Sequence, residues 1–338
     1  MNSFRPTPTI VHRAILMLAG LAVSGIALAQ NSNYQVPRTV DGAPDLQGMW
    51  TSNTITPLSR PAEFGDKLIL TPEEAFELEK TVADYSADQD APSDPDREAP
   101  RKGRIELADS YNNFWFDDGT QVARFNGEFR SSLIVDPANG RIPDYTPAAE
   151  ERIRIARQQR EQLGPFAGPE SRPLAERCLL SFSSSGGPPM LPILYNNHYQ
   201  IVQSPGYVMI LVEMVHDARI IRIDDDPLPA AQHRWLGDSL GHWEGDTLVV
   251  ETSNFNPSQS FRNSSENFQI TERFTRVSDE GINYSFTISD PDTFQQDWSA
   301  EIPMKITDDR LYEYACHEGN YSLPGVLAGA RLDESLSQ

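Results

Sequence analysis

Residues 268–306 read FQITERFTRVSDEGINYSFTISDPDTFQQDWSAEIPMKI, and this stretch decides the fold class of the chain. Apolar and polar side chains alternate along it, a period that is typical of strands with one buried face. Turn residues such as Asp279-Glu280-Gly281 separate the alternating runs. The pattern predicts three neighbouring antiparallel strands, Phe268–Val277, Ile282–Ser289 and Trp298–Ile306.

The same pattern continues on both sides of this stretch. Short alternating runs are separated by turns such as Ser204-Pro205-Gly206 and Glu244-Gly245-Asp246. No helix of useful length separates these runs, so Rossmann-type and TIM-barrel folds are excluded. We predict further strands at Tyr199–Gln203, Tyr207–Val215, Arg219–Asp224, Leu248–Thr252 and Leu311–Cys316.

The predicted fold class is therefore mainly β, an antiparallel barrel or sandwich. Gly48-Met49-Trp50 resembles the Gly-x-Trp at the start of lipocalin-like barrels, where the tryptophan plugs one end, and this favours the lipocalin-like form. Two surface helices are predicted as well. One begins at Thr71-Pro72 and runs to about Ala83, and the other begins at Thr146-Pro147 and ends at Gly164-Pro165.

The composition divides the chain into three parts. Residues 1–29 have the pattern of a signal peptide, with basic side chains at Arg5 and Arg13, a short apolar run, and a cleavage site between Ala29 and Gln30. Residues 30–104 form an irregular and helical segment that ends in an acidic, Pro-rich linker, and residues 105–338 form the β-rich domain. The leader predicts a periplasmic or secreted protein, and no later stretch is apolar enough to span a membrane.

The composition also limits the kinds of partner. A formal net charge of −21 repels nucleic acid and anionic lipid, which excludes nucleic-acid binding as a function. The chain lacks the glycine fingerprints of nucleotide-binding loops, so no cofactor is expected. A small neutral or cationic molecule is the ligand that the composition favours. Nothing in the pattern predicts an oligomeric state.

Cys178 and Cys316 are the only two cysteines in the chain. In an oxidising compartment two such cysteines most often pair, so we predict a disulfide between them. Two free buried thiols are the alternative. The disulfide would tie the segment YACHEGNY, residues 314–321, to a position far back in the sequence.

Polar side chains gather in the segment Glu213-Met214-Val215-His216-Asp217-Ala218-Arg219. A buried strand is predicted to end here, and polar groups at a strand end emerge at a barrel rim, where ligand sites are common. We predict His216 as the proton-transfer group, Arg219 as the group that stabilises negative charge, and Glu213 as an orienting carboxylate. The alternative is structural, a salt bridge between Glu213 and Arg219 across a turn.

His317 and Glu318 directly follow Cys316 and form a second catalytic candidate. They would assist acid–base chemistry if the disulfide brought them to the rim that carries His216. Together with His216 they offer two imidazoles and a carboxylate, which are ligand types that zinc takes. No HExxH or HxH spacing occurs in the chain, however, so no metal site is predicted.

Two clusters combine asparagines with aromatic rings, Tyr111-Asn112-Asn113-Phe114-Trp115 and Tyr195-Asn196-Asn197-His198-Tyr199. Amide groups beside aromatic faces suit a ligand with a flat apolar body and hydroxyl or carbonyl groups. Asparagine is also a common turn residue, and a structural role is the alternative. The predicted ligand contacts are Tyr111, Asn112, Trp115, Asn196 and Asn197.

Several longer motifs together resemble those of a widespread family of exported bacterial proteins. The motifs are SSLIVDPANGRIPDYTP, GGPPMLPILYNN, EMVHDARIIRID, WLGDSLGHWEGDTLVVETSNF, ERFTRV and EYACHEGNY, and the resemblance spans roughly residues 40 to 332. ERFTRV with YSFTISDP also resembles β-barrel domains of the lipocalin-like, or calycin, type. The family resemblance implies export and a β-rich fold. It implies no catalytic residue, because no activity is established for that family.

These observations predict an exported enzyme that acts on a small cyclic or aromatic apolar molecule by acid–base chemistry, as a lyase, an isomerase or a hydrolase. The alternative is a non-catalytic periplasmic protein that binds such a molecule. The enzyme requires two titratable groups at an open pocket, whereas the binding protein requires only a lined cavity.

Overall fold

The structure is a computed structural model that describes residues 34–89, 117, 119–181, 187–193, 197–259 and 261–337. The predicted signal peptide lies outside these ranges. The described residues contain three helices, α1 (Pro72–Gln89), α2 (Pro147–Leu163) and α3 (Ser322–Leu336). The same residues contain thirteen strands, β1 (Gly48–Thr51), β2 (Ile69–Leu70), β3 (Arg124–Phe125), β4 (Glu128–Arg130), β5 (Ile134–Asp136), β6 (His198–Ser204), β7 (Tyr207–Val212), β8 (Ala218–Ile223), β9 (Asp238–Glu244), β10 (Thr247–Ser253), β11 (Gln269–Ser278), β12 (Gly281–Ser289) and β13 (Trp298–Ile306).

Nine of the described strands form a closed ring in the order β1-β6-β7-β8-β9-β10-β11-β12-β13, in which β13 pairs back with β1. An odd number of strands cannot alternate in direction all the way around a ring, so one neighbouring pair has to be parallel. That pair is β8 and β9, with Ile221 opposite Ser239 and Ile223 opposite Gly241. A Cβ atom at Gly241 would lie 2.8 Å from both isoleucine side chains, so a larger residue would have to displace them and glycine permits the close approach. The predicted fold class, a mainly β antiparallel barrel or sandwich, is confirmed as a barrel in which the β8–β9 pair is parallel. The lipocalin-like form stays a prediction.

The main hydrophobic core fills the barrel. Alternate side chains of β12 are buried, as the two-residue period of a strand predicts. Trp50 of β1, Tyr199 of β6 and Trp298 of β13 are fully buried in the same cluster. The indole nitrogen of Trp50 donates to the carbonyl oxygen of Leu46 at 3.0 Å, so the ring is buried with its polar atom paired. The interior of the barrel is therefore packed with side chains.

A second, smaller core lies against α1. Strands β2, β4 and β3 form a three-stranded sheet in that order. Leu70 of β2 and Ala75 of α1 are buried together, and Phe129 of β4 packs against them. β5 pairs with β13 beside the ring. The first barrel strand, β1, comes from the segment that the sequence assigns to the irregular N-terminal part.

Two helices begin where the sequence predicts. The Thr71 hydroxyl accepts from the Glu74 N–H at 3.2 Å, and the Glu74 carboxylate accepts from the Thr71 N–H at 2.8 Å, which completes a capping box. At the start of α2 the Thr146 hydroxyl accepts from the Ala149 N–H at 3.1 Å. α1 runs beyond its predicted end, to Gln89.

One prediction about the C-terminal part is wrong. The sequence predicts a strand at Leu311–Cys316, but this segment forms no strand in the described structure. The segment is mostly apolar and aromatic, as a strand can be, yet β13 already pairs with β12 on one side and with β1 and β5 on the other. β13 therefore has no free edge at which Leu311–Cys316 could add a strand.

The sequence predicts two helices, and α3 is a third one that those predictions do not include. Pro324, Gly325 and Gly329 are poor helix residues, so the local pattern gives little sign of it. No described helix has the length and apolarity needed to cross a membrane.

The end of β7 also differs from the prediction. The sequence extends this strand to Val215, but it ends at Val212 and the chain turns in a 3-10 helix at Met214–His216. Val215 and His216 have φ angles of 62° and 42° there. Glu213 and Met214 are both buried in this turn.

Cys178 and Cys316 form a disulfide, as predicted, with their Cα atoms 5.7 Å apart. Next to it, the Asn320 amide donates to the carbonyl oxygen of Glu176 at 2.7 Å. The disulfide therefore joins the segment after β13 to the loop that follows α2.

Candidate functional site

The hairpin of β6 and β7 carries the best candidate for a functional site. Its register places Tyr199 opposite Val212 near the open end. One step further, His198 and Glu213 face each other, and the Glu213 N–H donates to the His198 carbonyl at 3.1 Å. The sequence reasoning missed His198. Counting outward from the predicted turn at Ser204-Pro205-Gly206 pairs the same two residues, and that signal could have found it.

Glu213 holds the ring of His198 in place. Its Oε2 lies 2.8 Å from His198 Nδ1, and its Oε1 accepts from the backbone N–H of Tyr312 at 3.1 Å. The Glu213 side chain is only 2% exposed, so water does not compete with His198 and Tyr312 for hydrogen bonds to its carboxylate. Glu213 therefore orients an imidazole, and that imidazole belongs to His198 rather than to His216.

The other ring nitrogen of His198 faces two aspartates. Nε2 lies 3.9 Å from Asp117 Oδ2 and 3.6 Å from Asp309 Oδ2. Both distances are longer than a direct hydrogen bond, and one hydroxyl group placed beside them can contact the nitrogen and a carboxylate together. The His198 side chain is 12% exposed, whereas the neighbouring Asp309 side chain is 74% exposed, so Nε2 faces a group at the surface. Neither of the two described clefts has His198 in its walls.

Asp117 is held in position by two asparagines. Asn53 Nδ2 donates to Asp117 Oδ1 at 2.6 Å, and Asn197 Nδ2 donates to the Asp117 carbonyl oxygen at 2.6 Å. Asp117 Oδ2, the oxygen nearest to His198, is buried and has no hydrogen-bond partner among the described residues. A buried acceptor without a partner costs free energy, so this oxygen favours a donor that enters from outside.

The surroundings raise the pKa of His198 and the pKa of Asp117. The hydrogen bond to Glu213 is the largest cause that raises the pKa of His198, burial opposes it, and the charges of Glu213, Asp117 and Asp309 add to it. Burial raises the pKa of Asp117, although the hydrogen bond from Asn53 and the charge of His198 lower it. An imidazole and a carboxyl group whose pKa values both lie above their ordinary range suit proton transfer in either direction.

Residues 307–321, called the C-terminal strap from here on, bring Asp309 and Tyr312 to this site. The strap begins where the Thr307 N–H donates to the Met49 carbonyl of β1 at 3.0 Å. It then supplies the Asp309 carboxylate and the Tyr312 N–H, and it is tied down at Cys316. Neither Asp309 nor Asp117 is among the residues that the sequence singles out.

His216 and Arg219 do not join this site. His216 is exposed in the turn after β7. Arg219 points into the barrel, where both of its terminal nitrogens bind the Glu272 carboxylate, one of them at 2.9 Å. It also donates to the hydroxyls of Ser239 and Thr252 at 3.0 Å. The guanidinium therefore has a structural role inside the barrel. Its acidic partner is Glu272, so the alternative salt bridge between Glu213 and Arg219 is not formed.

His317 and Glu318 lie exposed in the turn that follows the disulfide. His317 and Glu318 belong to the C-terminal strap, but the strap reaches His198 through Asp309. Among the described residues, no group of three or more His, Cys, Asp or Glu side chains is arranged to hold a metal ion. The zinc-type set that combines this pair with His216 is therefore not formed.

Of the predicted ligand contacts, only Asn197 lies within the described residues. It is fully buried, and its amide oxygen accepts from the Ile193 N–H while its amide nitrogen donates to the Ile193 carbonyl, both at 2.8 Å. The third bond, to Asp117, uses its remaining donor. Asn197 therefore fixes a loop and positions Asp117. The remaining four predicted contacts lie outside the described residues: Tyr111, Asn112, Trp115 and Asn196.

A cleft of about 260 Å³ lies at the other end of the same hairpin. Tyr207, Ile223 and Trp243 give it apolar walls, and Asp41 adds a carboxylate. The length of β6, about 20 Å at roughly 3.3 Å per residue, separates this cleft from His198. The cleft and the histidine therefore belong to different ends of the barrel.

Comparisons with known proteins give no counterpart for this arrangement. No protein-family model, curated protein or solved structure matches this chain. The resemblance to exported bacterial proteins therefore stays a prediction. The chemistry of the site follows from its own geometry: one oriented imidazole, one carboxyl group with a raised pKa, and a second carboxylate at the surface.

Proposed function

We propose that this chain is an exported enzyme that moves a proton on a small-molecule substrate, with His198 as the acid–base group and Glu213 as the carboxylate that orients it. The asymmetric surroundings of the imidazole carry the proposal. Nδ1 lies 2.8 Å from a buried carboxylate, while Nε2 faces Asp117 and Asp309 at 3.9 Å and 3.6 Å. A general base has to present one free nitrogen to its substrate, and this arrangement supplies one.

Proton transfer at this site runs in two directions. When Nδ1–H is hydrogen-bonded to Glu213, the lone pair of Nε2 lies on the side of Asp117 and Asp309. There it accepts a proton from a substrate C–H or O–H group. Glu213 stabilises the imidazolium, which then returns the proton to a leaving group or to another atom of the substrate. Asp117, whose pKa burial raises, handles a second proton. Such a pair supports the chemistry of lyases, isomerases and hydrolases.

The charges around His198 favour a substrate without negative charge. The carboxylates of Glu213, Asp117 and Asp309 all act on the imidazole, and the whole chain has a net charge of −21. An anionic substrate would be repelled both by these carboxylates and by the net charge of the whole chain. A small cyclic or aromatic apolar molecule fits this requirement. The leader pattern of residues 1–29 and the disulfide support export to the periplasm or beyond.

The proposal is tested by comparing the same substitution at two histidines, His198 and His216. We expect His198→Asn to lower kcat/KM by about 10²- to 10⁴-fold, the usual contribution of a general acid–base group. His216→Asn changes an exposed histidine in the same way and should keep the wild-type rate. Substrates are selected by thermal shift from aromatic and terpenoid-like compounds, and their conversion is followed by mass spectrometry.

Equal rates for wild type and His198→Asn would overturn this assignment. A loss of turnover in His216→Asn alone would instead favour the histidine that the sequence predicts. Circular dichroism of both variants checks that each one is folded, so that a lost rate reports chemistry.

A non-catalytic small-molecule-binding protein is the second candidate, and the cleft beside Trp243 favours it. The cleft has apolar walls and one carboxylate, which suits a neutral or cationic ring. A compound that quenches Trp243 fluorescence and is never converted would favour this candidate over the enzyme. A compound whose conversion requires His198 decides for the enzyme.

A further inference from the structure

We infer that oxidation of Cys178 and Cys316 completes the His198 site, because their disulfide holds the C-terminal strap that brings Asp309 and Tyr312 to it. The consequence for catalysis rests on the proposed function, whereas the coupling is a property of the fold. In the oxidation the two thiols lose two electrons and two protons to a disulfide oxidant, which is reduced to its dithiol, and the S–S bond forms.

The strap supplies two of the groups that face the His198–Glu213 pair. The Tyr312 N–H donates to Glu213 Oε1 at 3.1 Å, and Asp309 Oδ2 lies 3.6 Å from His198 Nε2. The Asp309 side chain is 74% exposed and accepts from the Thr307 hydroxyl within the strap at 3.0 Å. The position of Asp309 therefore depends on where the strap lies.

Few buried contacts hold the far end of the strap. Tyr314 packs partly buried against the main core, and most neighbouring side chains are exposed. α3, which follows the strap, has no buried residue along its described length. Hydrogen bonds reach other elements from Asn320, to the Glu176 carbonyl at 2.7 Å, and from Arg331, to the Phe166 carbonyl at 2.7 Å. Exposed bonds of this kind contribute little, so the disulfide is the tie that fixes this end.

Without the disulfide we expect the strap to leave the end of the barrel. Glu213 then loses the Tyr312 donor, and His198 loses the carboxylate of Asp309. The barrel itself should persist, because its ring of strands is hydrogen-bonded independently of the strap. The site is thereby assembled in an oxidising compartment and stays incomplete in a reducing one.

The test asks whether Asp309 still acts on His198 when the disulfide is removed. In the disulfide-bonded protein, Asp309→Asn should lower the pKa of His198, measured by NMR titration of its ring protons, because the Asp309 charge raises that pKa. In the C178S/C316S background the same substitution should leave the titration unchanged. Asp41→Asn, another exposed aspartate, should have no effect in either background.

Hydrogen exchange gives a second readout. Peptides that contain Tyr312 should exchange faster in C178S/C316S than in wild type, while peptides from β11 and β12 should keep their protection and show that the barrel is folded. Arg331→Ala removes an α3 contact and retains the disulfide, so it should leave the exchange of Tyr312 unchanged.

The inference is overturned by an equal effect of Asp309→Asn in both backgrounds, or by unchanged exchange at Tyr312 in C178S/C316S. Either result would show that the strap keeps its place without the covalent tie. Neither measurement needs a substrate. If His198→Asn retains full turnover, the proposed function fails, while the coupling between the disulfide and His198 is measured all the same.

Discussion

At the scale of single residues, the buried carboxylate of Glu213 decides which nitrogen of His198 is presented to solvent. The hydrogen bond between them is the largest cause of the raised pKa of His198, so Glu213→Gln should lower that pKa. The glutamine amide can still accept from the ring, and the measured change therefore reports the lost charge. NMR titration of the ring protons gives the pKa, and Glu318→Gln, an exposed glutamate, serves as the control.

The sign of the shift also predicts how pH affects stability in this comparison. A histidine whose pKa is raised on folding contributes fully below its unfolded pKa of about 6.5, and it loses that contribution as pH rises through the folded pKa. The difference in free energy of unfolding between wild type and Glu213→Gln should be largest below about pH 6.5 and should narrow above it. Urea unfolding at a series of pH values measures this difference, and a gap that widens with pH would contradict the prediction.

Sequence patterns indicated Glu213 but not its partner. His198 stands in a run of asparagines and aromatic residues, which gives no sign of a catalytic histidine. The polar residues around His216 instead made that histidine the predicted partner of Glu213. The contact between His198 and Glu213 is made by strand pairing across 15 residues, so only the register count reveals it. Asp117 and Asp309 reach the site from distant parts of the chain, which no local pattern indicates.

At the scale of the elements, a polar network links five strands inside the barrel. Arg219 of β8 binds Glu272 of β11, the hydroxyls of Ser239 and Thr252 on β9 and β10 accept from Arg219 at 3.0 Å, and the Tyr284 hydroxyl of β12 donates to Glu272 at 2.8 Å. Arg219 and Glu272 are 2% and 0% exposed. Arg219→Met leaves a buried carboxylate without its cation and should lower the free energy of unfolding by about 3–5 kcal/mol in urea.

The matched control removes both charges. Replacing the whole ion pair, as Arg219→Met with Glu272→Leu, leaves no uncompensated charge and should recover most of that loss. The free energy of unfolding is also measured for Glu272→Leu alone. If the loss in the double variant equalled the sum of the losses in Arg219→Met and Glu272→Leu, the two charges would not interact. That result would contradict the account of Arg219 as one half of a buried pair.

Strand positions were largely predictable, whereas their order around the ring was not. The runs of β11, β12 and β13 alternate and are joined in sequence, so local pattern is sufficient for them. β1 closes on β13 across most of the chain, and nothing in the four residues Gly48–Thr51 indicates that partner. Leu311–Cys316 is apolar and aromatic like a strand, but the closed ring offers no edge with which it could pair. Tertiary context decides both cases.

At the scale of the whole molecule, the disulfide joins residues separated by 138 positions. In the chain-entropy model a crosslink of this length stabilises the fold by about 5 kcal/mol, since it restricts the unfolded chain. C178S/C316S should therefore lose up to about 5 kcal/mol of free energy of unfolding in urea. Cys178→Ser alone should lose a similar amount, and a loss below about 1 kcal/mol in the double variant would show that the crosslink restricts the unfolded chain far less than its length implies.

Both partners of β1, namely β6 and β13, lie downstream in the sequence, and Thr51 pairs with Lys305. A chain that emerges N-terminus first at about 5–20 residues per second needs roughly 10–50 s to deliver the intervening stretch of about 250 residues. Throughout that time Trp50 has no finished core to enter. The contact order of the ring is therefore high, and its closure has to follow the emergence of β13. A chaperone that shields β1 during this interval should raise the yield of correctly closed barrel.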